Sequence, residues 1–145
     1  MKVEEIMIQN AVRYNGNDFK VTDISRAWPR VEWKYNNKPV VTIFDGGILT
    51  VGLDEIEPIP ITEEWLAKQG FKHEFDELCE FNYYIREIDG YFVDIQLECA
   101  NMGEGYVTCH IDNCDRCTVA SADIQYVHQL QNLLNIMNIK FDIKL

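Results

Sequence analysis

The sequence predicts an α+β protein: an N-terminal small SH3-like β-barrel or bent antiparallel sheet, then a helix, an antiparallel hairpin sheet and a C-terminal amphipathic helix with a closing strand. Three observations predict it. The first 52 residues hold short β-rich runs separated by turn dipeptides. Two stretches, near residues 62–70 and 123–137, carry a helix cap or apolar residues at helical spacing. Between them, alternating strands meet at Asp89-Gly90.

The N-terminal strands come first. Ala11–Tyr14 and Phe19–Ile24 flank Asn15-Gly16, a pair that tolerates the positive φ of a tight hairpin. Val31, Trp33 and Tyr35 alternate, Asn36-Asn37 turns the chain into Val40–Phe44, and Asp45-Gly46-Gly47 leads on to Ile48–Val51. Pro58 and Pro60 then break any regular element. Directly after them Thr62 can cap a helix, Glu63 and Glu64 suit its positive end, and Gly70 can terminate it. Ile61 and Leu66 have the spacing of a hydrophobic staple. The expected organisation is a β-barrel-like module over 1–54 and an α+β module over 55–145, packed together as one compact unit.

From Phe81 the strand signal returns. In Tyr91–Ala100, Tyr91, Val93, Ile95, Leu97 and Cys99 face one way, and Asp94, Gln96 and Glu98 the other. A two-residue turn at Asp89-Gly90 pairs Arg86 with Val93 on the apolar face, so a bulge or longer loop is expected to correct the register. Tyr106–Ile111 reads as a third strand with Val107, Cys109 and Ile111 inward. A final helix is expected from about Asp123, capped by Ser121 or Asp123, to Met137, with Val127, Leu130, Leu133, Leu134 and Met137 as its apolar stripe. Ile139–Leu145 alternates and reads as a closing strand.

Composition bounds the function. The 145 residues are 47% hydrophobic and 12% aromatic, enough for a core. No run approaches the roughly 18 apolar residues of a membrane span, and the acidic Met1–Glu5 has no signal-peptide apolar core. A cytoplasmic location without membrane contact is the expectation. The net charge of −11 is uneven, with seven Lys/Arg against nine Asp/Glu in residues 1–60 and six against fifteen in residues 61–145. That excess makes nucleic acid an unsuitable partner for the second half. One basic stretch, Lys20 to Lys38, interleaves Arg26, Arg30 and Lys34 with Trp28, Trp33 and Tyr35, but Asp23 and Glu32 interrupt it and a solvated sheet face explains it.

The residues able to carry chemistry are few. Cys109, His110, Cys114 and Cys117 form a cluster of zinc-type ligands, with Cys114-x-x-Cys117 at knuckle spacing. Alternation opposes a four-ligand site, because Cys109 and His110 are neighbours on one strand and point to opposite faces. Five cysteines are an odd number, and reduced thiols are expected. His128, Gln131, Asn132 and Asn135 make a polar stripe on the last helix, read either as its solvated side or, together with Trp28 and Trp33, as a binding surface. Carboxylates at Glu74, Asp76, Glu77 and Glu80 read as a solvated run, and neither a nucleophile elbow nor a phosphate-cradling loop is present. Catalysis is therefore disfavoured, and no catalytic residue or cofactor is assigned.

Three stretches, IQNAVRYNGNDFKVTDI, EPIPITEEWLAKQGF and IQYVHQLQNLL, resemble a group of short, mostly uncharacterised proteins of gut-type bacteria and their phages. The resemblance spans most of the chain in the same order but leaves out 99–117, and it brings no activity or site residue. The function expected is a non-enzymatic binding or accessory protein of phage or mobile-element origin, acting through a protein partner or self-association. The alternatives are a zinc-binding domain around Cys114 and Cys117, and an acidic mimic of nucleic acid.

Overall fold

The computed structural model describes residues 6–26, 38–44, 46–77, 81–97 and 107–145. It is an α+β chain of two compact units, residues 1–59 and 60–144. The stretch holding Trp28 and Trp33, and the cysteines Cys79 and Cys99, lie outside the described residues.

The first unit is an antiparallel meander of β1 (Ala11–Tyr14), β2 (Asn17–Arg26), β3 (Pro39–Phe44) and β4 (Ile48–Gly52), paired in that order. Asn15 and Gly16 adopt φ of 49° and 78°, and the hairpin register follows, Tyr14 opposite Asn17. The period-2 pattern puts Val12, Val21, Val41, Ile43 and Val51 into one core, joined by Ile6, Leu53 and Ile56. The barrel reading is corrected to an open sheet. After Gly52 the chain enters a 3-10 turn, Leu53–Glu55, whose Glu55 carboxylate accepts from the Gly52 N–H at 2.8 Å. Among the described residues it returns to the β1 edge at one bridge, Arg13–Glu57, and β1 and β4 stand at the two edges of the sheet. Because Ile56 belongs to this core and Glu57 bonds to Arg13, the first unit runs past residue 54.

The second unit begins with helix α1 (Glu63–Lys68). Thr62 is its N-cap, accepting from the Trp65 N–H at 3.2 Å, and both staple residues, Ile61 and Leu66, are buried. A five-stranded antiparallel meander follows, in the order β5 (Lys72–Asp76), β6 (Phe81–Ile88), β7 (Tyr91–Leu97), β8 (Val107–Asp112) and β9 (Thr118–Ile124). Strand β5 occupies part of the acidic run that reads as solvated chain. Asp89 and Gly90, at φ of 54° and 82°, make the two-residue turn between β6 and β7.

One face of this sheet is buried, with Tyr84, Val93, Ile95, Val107, Cys109, Ile111 and Ile124 inward. The expected bulge at Arg86 does not occur, and Arg86 stands directly opposite Val93 on this face. The reason lies outside the strand. The guanidinium donates to the Gln69 carbonyl at the end of α1 and lies 5.4 Å from the centre of the Phe141 ring, so an inward arginine is both hydrogen-bonded and packed.

Helix α2 (Val127–Ile136) starts later than its apolar pattern implies, because β9 extends to Ile124. Ala120, Ala122 and Ile124 continue the inward alternation opposite Ile111, Cys109 and Val107, and Tyr126 is still extended at φ −127° and ψ 151°. The capping expected of Ser121 or Asp123 is performed instead by Gln129, whose side-chain oxygen accepts from the Gln125 and Tyr126 N–H groups at 2.8 and 3.1 Å. The closing strand is also corrected. Ile139 and Ile143 are buried at the alternation spacing, but residues 139–145 join no ladder. The Gln69 side chain takes the place of a neighbouring strand, donating to the Lys144 carbonyl at 2.8 Å and accepting from its N–H at 2.9 Å. No helix among the described residues is long and apolar enough to cross a membrane.

Candidate functional site

The opposite face of the five-stranded sheet carries the groups with chemistry. Register places them in cross-strand rows. Glu87, Phe92 and Asp112 form one row, Lys72, Ile85, Asp94, His110 and Ser121 the next, and Glu74, Tyr83, Gln96, Thr108 and Asp123 the third. None of these residues is fully buried, and Asp94 is half-buried. Among the described residues six carboxylates share the face (Glu74, Asp76, Glu87, Asp94, Asp112 and Asp123), against two cations, Lys72 and Arg116.

Asp94 sits in the middle. Its Oδ1 is enclosed and accepts no hydrogen bond. Burial is the main cause that lifts its pKa from 3.8 to about 6; His110 beside it pulls the other way, while Asp112 and Glu74 add to the rise. Around it several groups are fixed. The Tyr83 hydroxyl donates to Glu74 at 2.8 Å, and this bond is the largest cause of the raised Tyr83 pKa. Thr108 donates to Asp123 at 3.2 Å, and Thr118 to Asp112 at 2.8 Å.

The turn between β8 and β9 places the last group. Asn113 organises it, its side-chain oxygen accepting from the N–H groups of Asp115 and Cys117 at 3.0 Å each. Arg116 adopts φ 61°, a conformation that costs a non-glycine residue about 1 kcal/mol or more. Its guanidinium lies over the Phe92 ring, 3.5 Å from the centroid. At this end of the face a depression of about 310 Å³ is lined by Gly70, Lys72, Glu74, Ile85, Arg86, Glu87, Phe92 and Arg116.

Asp94, His110 and Ser121 stand side by side on three adjacent strands, the side-chain types of a hydrolytic triad. Asp94 Oδ1 accepts no hydrogen bond, so it does not orient the His110 ring as a triad carboxylate would. The arrangement is a row on a sheet, with its backbone N–H groups committed to the ladder. What the face presents is charge and aromatic surface, with the Arg116 guanidinium stacked on Phe92.

The chain matches no family model, no curated protein and no solved structure.

The cysteine cluster is dispersed by its own strand. Cys109 is inward and fully buried, and burial first, then Asp94, pushes its thiol up to about 12, so it is inert. His110 faces the other way, beside Asp94. Cys114 and Cys117 are exposed free thiols in the turn. Among the described residues, no three His, Cys, Asp or Glu side chains are grouped to hold a metal ion. The polar stripe of α2 is corrected: His128 is 1% and Gln131 8% exposed, so neither belongs to a surface. Both occupy the inward side of α2 with Val127, Leu130 and Leu134, and the His128 ring stacks on Tyr126 at 5.8 Å. The sequence pattern does not single out Asp94 and Arg116. Alternation alone puts Asp94 opposite the apolar face, but its partnerless oxygen depends on neighbours from other strands.

Proposed function

We propose that the chain is a non-enzymatic binding protein that takes a cationic segment of a protein partner on the outer face of the five-stranded sheet. The observation that carries this reading is Asp94 Oδ1, enclosed and without a donor at the centre of six carboxylates. A half-buried carboxylate without a donor among like charges is costly, and a lysine or arginine laid across the face offsets that charge. Aromatic and aliphatic groups between the carboxylates, Tyr83, Ile85 and Phe92, add contact area for the stems of such side chains.

A labelled peptide alternating glycine and arginine, titrated against the protein by fluorescence anisotropy, tests the reading. Binding is expected to weaken with salt. Asp94→Asn is expected to weaken it about tenfold, the scale of one charge-assisted hydrogen bond, while Asp54→Asn in the other unit leaves it unchanged. Failure of the wild-type protein to bind at low salt sinks the proposal.

The gathering of carboxylates on one face supports a second reading, in which the partner's basic surface is one that otherwise holds nucleic acid and the chain acts as an acidic mimic. The resemblance to short proteins of gut-type bacteria and phages supports an accessory role within a mobile element. A zinc site remains the remotest proposal, with two exposed thiols to start from.

A further inference from the structure

We infer that this face is selective for the guanidinium group of arginine, and that Arg116 is a resident placeholder on the subsite where a partner's arginine binds. The inference rests on the binding role proposed above and names its ligand. Phe92 is flanked on the same face by Glu87 on β6 and Asp112 on β8, its direct cross-strand neighbours. Such neighbours have Cβ atoms roughly 4.5–5.5 Å away. An aromatic ring between two carboxylates suits a planar cation that stacks on the ring and donates at its edges. Lysine offers a compact ammonium without the flat fork and fits the subsite less well.

The protein's own Arg116 shows the stacking half of this mode, its guanidinium 3.5 Å from the centre of the Phe92 ring. It is held there from a turn residue at φ 61°, beside the depression that Phe92 and Glu87 also line. A strained backbone carrying an arginine onto an aromatic ring is a displaceable plug. A ligand guanidinium that takes the ring must first push Arg116 aside, which lowers its apparent affinity.

The experiment compares two labelled peptides, glycine–arginine and glycine–lysine repeats of equal length, on wild-type protein, Arg116→Gly and Arg116→Gly/Phe92→Leu. Glycine takes φ 61° without strain, so the turn is preserved, and thermal unfolding confirms that each variant folds. Removing a positive charge tightens both peptides alike, so the readout is the preference between them. Arg116→Gly is expected to raise the arginine-over-lysine preference at least about fivefold, and Phe92→Leu to erase that gain. Equal gains for the two peptides, or a preference that survives the loss of Phe92, overturn the inference and leave the cationic-segment reading standing. No binding of either peptide to any of the three proteins overturns both.

Discussion

Asp94 is where a single residue decides most. Its carboxyl is lifted from 3.8 to about 6, so the fold favours the neutral form. The stability this contributes is complete below the unfolded pKa and is lost as pH rises through about 6, leaving an enclosed charge at neutral pH. Asp94→Asn removes that charge. Thermal unfolding is expected to show the variant more stable than wild type at pH 7, with the difference closing between pH 6 and pH 4. Each kcal/mol gained corresponds to about 2–4 °C in Tm for a chain of this size. A variant that gains stability while losing ligand affinity separates a functional carboxylate from a structural one. The alternating strand pattern made the opposed directions of Cys109 and His110 legible, as well as the outward direction of Asp94. It did not make Arg86 legible. An inward arginine looks like a register error until the Gln69 carbonyl and the Phe141 ring, distant in sequence, are seen beside it.

Elements were legible where their signals are local. The Asn15-Gly16 and Asp89-Gly90 hairpins and the Thr62 cap depend on a few adjacent residues, and all three stand as read. Helix α1 has only six residues, too short to hold without its cap and its buried Trp65 and Leu66. Thr62→Ala is expected to cost about 1 kcal/mol in urea unfolding, and Thr62→Ser to restore most of it. Strand β5 is not legible in the sequence because its residues, Lys72-His73-Glu74-Phe75-Asp76, are too polar to show an apolar face. It is a strand because β6 offers an edge to pair with. The start of α2 is illegible for the opposite reason. Ile124, Val127, Leu130 and Leu134 continue one helical-looking stripe, but Ile124 is paired with Val107 on β8.

Across the whole chain, each of the two units builds its own core, and long-range hydrogen bonds complete the second. Gln69 is 1% exposed and clamps Lys144, 75 residues later, through two backbone bonds. Gln69→Ala is expected to cost about 2 kcal/mol, one for each bond lost. It should also speed amide hydrogen exchange at Lys144, and unchanged exchange there would refute the clamp. By itself the sequence determined the α+β class, the turns, the cap of α1 and the alternation that sets His110 against Cys109, because these follow from neighbours along the chain. It also determined that the second half is strongly acidic. Only the tertiary structure decided that the first sheet stays open, that His128 and Gln131 are buried, and that the tail is held by a side chain. The same holds for the outer face. Its rows of carboxylates and the Arg116 guanidinium over Phe92 come from strands set side by side by pairing, and that lateral order is not written in any one stretch of sequence.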